Sequence, residues 1–312
     1  MKILVTGGAG FIGSHLSRRL LQSGHRVVIV DNLSTGRREN IPQGAEFLKL
    51  DLTQPDVCGR LPNGFDAVCH LAAQSAGAIS AERPYYDLQA NAGATLLLSR
   101  WCLEKGIPRF VSASSMAAYG NTEKPLVSEE TPCVPASYYG ASKLATEHIL
   151  RLASREGLSV TIFRIFTVYG PGQDLGNLKQ GMVSIFLAYL LKGVTVPVTG
   201  SFEPFRDFIC VDDVVTAWQM AVERPSTPSL VYNLGSGKPT TVRELLASLK
   251  QAFALPQDYP VKELPGSATD QFGIYANISK LEKEVGWRPQ IPLDEGLKVM
   301  VAWAKSLGAS GG

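Results

Sequence analysis

The sequence predicts an α/β fold in which a doubly wound parallel sheet carries helices on both faces. Short β-branched runs alternate with longer amphipathic segments through the first half of the chain. A glycine-rich turn joins the first run to the first helical segment, and a carboxylate closes the second run about twenty residues later. Strands of about five residues separated by helical patterns form βαβ units, whose right-handed crossovers lay the strands side by side in one direction.

The elements follow in order. "KILVTGG" opens the chain as a strand, a helix is expected over 11–23, and "RVVIVDN", "EFLKLDL" and "AVCHLAA" read as the next strands. A helix over 86–105 and the strand "RFVSASS" precede a helix that begins near Ser137. The run "SVTIFRIFTVYG" reads as one further strand, "GPGQDLGNLKQG" as a connection, and 182–192 as an apolar helix. From "RDFICVDDVVTAWQMAV" onward strand and helix return, and the proline-rich C-terminal part reads as a smaller lobe. The expected division gives 1–172 and 206–237 to the larger domain and 173–205 and 238–312 to the lobe.

Composition narrows the function classes. With 312 residues, 45% apolar, 19% charged and a formal net charge of +2, the chain has the profile of a globular protein without a polyanion partner. No nucleic-acid or membrane association is expected, and the opening lacks the continuous apolar core of a signal peptide, so a cytoplasmic location is expected. Five cysteines are scattered without a CxxC pair, which suits reduced thiols, and the four histidines show no ligand spacing. No metal site is expected.

Gly7, Gly10 and Gly13 of "VTGGAGFIGSHL" suit a pyrophosphate. A glycine turn lets the backbone come close, and the helix N-terminus that follows presents unpaired N–H groups and a positive dipole end. Asp31 then stands where a carboxylate accepts hydrogen bonds from both hydroxyls of an adenosine ribose. A 2′-phosphate there would meet like charge, so NAD is expected over NADP. Arg37 and Arg38 argue the other way; on a polar loop, they read as solvated or at its rim.

The stretch "SYYGASKLATEH" holds a second signal. Ser137 suits an N-cap, and Tyr139 and Lys143, four residues apart, lie roughly 40° apart around a helix. Tyr138 and Lys143 are roughly 140° apart, so Tyr138 reads as a packing residue. A phenol titrates near pH 10 and works as a proton acceptor near neutrality only where a neighbouring positive charge favours the phenolate. Ser114 or Ser115, at the tail of "RFVSASS", would add a hydroxyl at the carboxyl edge of the sheet.

"TGGAGFIG", "VDNLSTG", "LDL", "HLAAQ", "SSMAAYG", "YYGASK", "RIFTVYGP" and "RDFICVDDV", in this order, resemble the extended short-chain dehydrogenase/reductase family, and within it the UDP-glucose 4-epimerase type. The resemblance implies a Rossmann-type sheet with a C-terminal substrate-binding lobe, NAD as cofactor and a nucleotide-sugar, most simply a UDP-sugar, as substrate. It implies that Gly7, Gly10, Phe11, Ile12 and Gly13 hold the pyrophosphate, and that Asp31, Asn32, Ser34 and Gly36 surround the adenosine ribose. Asp51 and Leu52 would meet the adenine, Leu71, Ala72 and Ala73 would line the cofactor, and Asn91 would lie near its ribose. Ser115, Tyr139 and Lys143 would be the catalytic set, with Lys143 also on the nicotinamide ribose. Thr167, Arg206 and Asp270 would contact the substrate with Ser115 and Tyr139.

The departures from family patterns are equally specific. Nucleotide-sugar 4,6-dehydratases carry Asp and Glu after the catalytic hydroxyl, whereas Met116 and Ala117 stand here and cannot do general acid/base work. Thr167 replaces the usual asparagine of "RxFN" and shortens the reach to the diphosphate. "LPGSATDQFG" keeps Asp270 but not the second arginine. The expected activity is C4 epimerisation through a transient 4-keto sugar, on a glucose, N-acetyl or uronate form. A 4-keto-sugar reductase shares the catalytic set but favours NADPH, and a non-catalytic dinucleotide sensor would need none of it. A homodimer through the two long helices is expected from the family.

Overall fold

The computed structural model describes residues 1–178, 180–228, 230–266 and 272–309. The expected strand and helix alternation is present throughout. In chain order the first elements are β1 (Lys2–Thr6), α1 (Phe11–Gln22), β2 (Arg26–Asp31), β3 (Glu46–Lys49) and β4 (Ala67–His70). Next come α2 (Gly77–Glu82), α3 (Pro84–Leu88), a single π turn over Gln89–Gly93, α4 (Ala94–Lys105) and β5 (Arg109–Ser115). The middle of the chain supplies β6 (Leu126–Val127), α5 (Tyr138–Arg155), β7 (Ser159–Ile165), β8 (Thr167–Tyr169), α6 (Met182–Leu191), β9 (Val196–Thr199), β10 (Phe205–Cys210) and α7 (Val211–Glu223). The remainder is β11 (Val231–Leu234), β12 (Pro239–Thr241), α8 (Val242–Phe253), β13 (Val261–Leu264), β14 (Tyr275–Ala276), α9 (Ser279–Val285) and α10 (Leu293–Ala309).

Seven parallel strands form the main sheet in the order β11-β7-β5-β4-β1-β2-β3. Their near-continuous Val, Ile and Leu runs are what a sheet covered on both faces requires. On one face Leu16 and Leu20 of α1, Trp218 of α7 and Leu281 of α9 pack over Ile3, Val5 and Ile29. On the other, Leu98 and Trp101 of α4 and Leu150 of α5 pack over Leu4, Val28 and Val68. The strand order reverses between β1 and β4, and ligands of open α/β sheets bind in the crevice outside the carboxyl ends at such a reversal.

Two departures from the expected elements bear on the site. The run at 159–170 is two strands: β7 belongs to the main sheet, whereas β8 pairs with β10, with Thr167 opposite Phe208. Phe166, buried between them, marks where the chain changes sheets. The expected helix over 86–105 is interrupted by the π turn, a local widening that often marks functional positions. The second sheet, β12-β10-β8, and the pair β13-β9 pack with α6, α8 and α10 around Leu187, Leu245 and Met300. Helix α8 starts with a full capping box between Thr241 and Glu244.

Candidate active site

The glycine turn and the β4 loop meet at the reversal. Gly7 has φ +70, and a Cβ there would stand 2.6 Å from the backbone nitrogen of Ala72. A Cβ on Gly13 would stand 2.1 Å from the Gly7 carbonyl oxygen, so any larger residue would push α1 off the turn. Phe11 and Ile12 form the first turn of α1, and Gly10 brings no side-chain cap, leaving that turn's N–H groups to a ligand.

Asp31 closes β2 as a buried carboxylate, oriented by the backbone N–H of Ala9 at 3.0 Å and of Leu33 at 2.8 Å. Gly36 lies against it: a Cβ there would be 3.0 Å from Asp31 Oδ1. Asn32 accepts from the Ser34 N–H at 3.0 Å. Asp51 accepts from the N–H and hydroxyl of Thr53 at 2.9 and 2.8 Å. Burial works against its charge, but these bonds and one from Asn32 outweigh it and hold the carboxyl below its usual range. Leu52 is buried beside it. The cradle fits a dinucleotide with an unphosphorylated ribose. Arg37 sits at the loop rim, where it pairs with Asp174 at 2.8 Å, and Arg38 lies over the Phe47 ring.

At the carboxyl end of β5, Ser115 is the last strand residue and accepts from the Ala117 N–H at 3.2 Å. Ser137 caps α5 by accepting from the Gly140 N–H at 3.1 Å. That cap starts the helix so that Tyr139 faces Ser115 while Tyr138 is 61% exposed. Burial pushes the Tyr139 phenol above its ordinary value; the Ser115 hydroxyl opposes this and the Asp87 carboxylate adds to it. Lys143 is 5% exposed and donates to the Ala113 carbonyl at 3.0 Å. Burial brings its ammonium down to about 8, against the pull of Asp87 and Glu147. Ser114, the other serine at this edge, points away and donates to Glu147 at 2.5 Å. That carboxylate forms a buried pair with Arg164 at 2.7 Å, whose guanidinium lies over the Tyr119 ring.

Two buried hydrogen-bond chains connect these parts, and neither follows from sequence spacing. Ala72 donates to Thr6 Oγ1 at 3.2 Å, Thr6 Oγ1 lies 2.7 Å from His70 Nδ1, and His70 Nε2 lies 3.1 Å from Thr95 Oγ1. Thr95 gives its proton to the Asn91 carbonyl at 2.8 Å, so its oxygen accepts, and His70 is the neutral Nε2–H tautomer. Burial, with Lys143 nearby, holds that imidazole down at about 3. In the second chain the Asn91 amide oxygen accepts from the Gln74 N–H at 3.0 Å. Its nitrogen donates to the Gln74 carbonyl at 3.1 Å and to Ser142 Oγ at 2.9 Å. Ser142 donates to Asp87 at 2.5 Å, and Gln74 Nε2 donates to Asp87 at 2.7 Å. Both ends of the Asn91 amide are therefore engaged, and the backbone of Leu71 and Ala72 stands against Gly7 of the glycine turn. Leu71 donates to the Thr6 carbonyl at 3.1 Å.

Two of the expected substrate residues, Thr167 and Arg206, lie on the second sheet. Thr167 is on β8 and Arg206 on the adjacent β10, where Arg206 donates to the Phe205 carbonyl at 2.7 Å. The next residue, Asp207, is fully buried and receives the N–H groups of Ser236, Gly237 and Ala276, which fixes the strand carrying Arg206. Asp270 lies outside the described residues. Met116 and Ala117 form a single 3-10 turn beside Ser115 and bring no ionisable group to it. Among the described residues no group of three metal-ligating side chains occurs, and no helix is long and apolar enough to cross a membrane.

A profile of the NAD dependent epimerase/dehydratase family matches residues 3–235. The chain belongs to that family. Within the epimerase/dehydratase family it is similar to a putative UDP-glucose 4-epimerase of Methanocaldococcus jannaschii, 36% identical over 307 residues that cover 97% of this chain and 98% of the relative. Its structure is similar to that of the UDP-glucose 4-epimerase of Thermotoga maritima with UDP-glucose, with a TM-score of 0.91 at 36% identity, covering 98% and 99% of the two chains. The Thermus thermophilus UDP-glucose 4-epimerase in complex with NAD gives a TM-score of 0.89 at 34% identity, again over 98% and 99%. The extended short-chain dehydrogenase/reductase resemblance, the Rossmann-type sheet and the NAD cofactor are thereby established for this epimerase/dehydratase family member.

Proposed function

We propose that this protein inverts C4 of a UDP-hexose, with NAD held throughout the cycle. The observation that carries the reading is the convergence of Ser115, Tyr139 and Lys143 at the carboxyl edge of β5, beside the dinucleotide cradle and without an acid or base at 116 and 117. Bound NAD supplies the acceptor and donor of the C4 hydride. Tyr139 takes the proton of the C4 hydroxyl and returns it after the 4-keto sugar has turned. Ser115 holds the C4 oxygen by a hydrogen bond, and the Lys143 charge favours the phenolate. Arg206 and Thr167 receive the diphosphate from the second sheet.

The proposed division assigns 1–172 with 206–237 to the NAD-binding domain, which also contributes Thr167 and Arg206 to the substrate, and 173–205 with 238–312 to the nucleotide-sugar-binding lobe. The active form is a cytoplasmic homodimer. Tyr85, Leu88, Leu96, Tyr138 and Leu152 support this, as large apolar side chains left exposed on α3, α4 and α5.

The test is turnover of UDP-glucose, UDP-N-acetylglucosamine and UDP-glucuronate, followed by chromatography and mass spectrometry. A C4 epimer of unchanged mass is expected from at least one. A product lighter by one water would overturn the reading and the inference from Met116 and Ala117.

A further inference from the structure

Asp87 is a fully buried carboxylate that the proposed chemistry leaves unused. It stands near the end of α3, one residue before the chain passes toward the π turn, and it sits against the catalytic helix. Ser142 Oγ donates to it at 2.5 Å and Gln74 Nε2 at 2.7 Å. A buried carboxylate must be hydrogen-bonded or paired to persist, and here the donors come from the cofactor-side loop and from the helix that carries Tyr139 and Lys143.

We propose that Asp87 is a positioning residue for proton transfer: held by Ser142 and Gln74, its carboxylate is the counter-charge that keeps Tyr139 able to give a proton back as well as take one. The proposal rests on the epimerase reading, in which one phenol must do both within each cycle. A group that shuttles a proton in both directions works best with its pKa near the operating pH. Bound NAD would add the positive charge of its nicotinamide ring to that of the Lys143 ammonium, 6.0 Å from the Tyr139 ring, and both would favour the phenolate. Asp87 pulls the other way on Tyr139 and supports the charge on buried Lys143.

The other charged and titratable groups around this pair are already balanced. Glu147, on the next turn of α5, is paired with Arg164 at 2.7 Å. His70, behind Lys143, is neutral between Thr6 and Thr95. Among the described residues, Asp87 alone stands beside the pair without a cation of its own other than Lys143.

Asp87→Asn can keep the network satisfied. Its amide oxygen can accept from Gln74 and its nitrogen can donate to Ser142, whose hydroxyl then turns to the Tyr139 carbonyl, 3.0 Å away. The variant therefore removes the charge rather than the packing.

The experiment is an absorbance titration of phenolate in the NAD-loaded protein without substrate, with the Tyr139→Phe signal subtracted. Asp87→Asn is expected to lower the Tyr139 midpoint by about one pH unit. Asp87→Glu, which keeps the charge, is expected to hold the wild-type midpoint, and it decides the matter should Asp87→Asn not fold. An unmoved midpoint in Asp87→Asn, or an Asp87→Glu midpoint lowered by about a unit, overturns the proposal. Because no sugar is present, that failure is distinct from failure of the epimerase reading, which shows as the absence of a C4 epimer in turnover.

Discussion

The Lys143 ammonium lies 6.0 Å from the centre of the Tyr139 ring, one helical turn along α5. Its hydrogen bond to Ala113 fixes it under the end of β5, so the strand that carries Ser115 also sets where the charge stands. The two residues therefore fail differently. Tyr139→Phe removes the proton acceptor and is expected to lower turnover by about 10²–10⁴-fold while bound NAD stays at the wild-type level. Lys143→Met is expected to lose turnover and bound NAD together. Chromatography of the cofactor released from each purified variant, beside its turnover, checks the split.

His70 predicts the acid sensitivity of the cofactor-free protein. Its folded value of about 3 lies below the ordinary 6.5, so between these pH values the unfolded chain binds a proton that the folded chain refuses. Stability from this residue is complete above pH 6.5 and falls as pH drops toward 3. At pH 5 the loss is about 2 kcal/mol. His70→Gln, which can still bridge Thr6 and Thr95, should lose correspondingly less between about pH 7 and about pH 5 in urea unfolding. An equal loss would mean that His70 does not set the acid limit.

Asp31 should decide the cofactor. Its carboxylate is held toward the crevice by two backbone N–H groups, a geometry that suits ribose hydroxyls and repels a 2′-phosphate. Asp31→Ala is expected to lower NAD affinity about tenfold and to narrow the preference over NADP. Competition between the two dinucleotides, read by calorimetry, measures both. A preference unchanged in Asp31→Ala would place the selection elsewhere.

The buried Glu147–Arg164 pair underlies β5 beside Ser114. Removing one partner leaves an uncompensated buried charge, so Arg164→Met is expected to cost about 3–5 kcal/mol in denaturant unfolding. A loss below about 1 kcal/mol would be that of an exposed pair and would contradict the burial.

The parts of this fold that are local in sequence were legible there. The glycine turn, the carboxylate closing β2 and the one-turn spacing of Tyr139 and Lys143 each follow from a short-range period, and the structure places each as that period requires. Ser115 rather than Ser114 is decided by alternation along β5, which sends one hydroxyl to Tyr139 and the other to Glu147.

What spacing could not show is set by distant partners. The run at 159–170 is largely apolar, so its change of sheet at Phe166 has no periodic signature and is imposed by the pairing of β8 with β10. Asp87 falls at the start of the helix expected over 86–105, where nothing local marks it as buried, and its burial comes with Ser142, 55 residues later. Arg37 finds Asp174 at a separation of 137 residues.

The most direct test of C4 inversion is to supply the UDP-hexose that turns over with deuterium at C4 and to follow the label by nuclear magnetic resonance. If the hydride leaves and returns within one closed site, the epimer carries deuterium on C4 and none appears in water. Epimer with the label lost to solvent would contradict transient oxidation at C4, as would net accumulation of reduced cofactor in step with product.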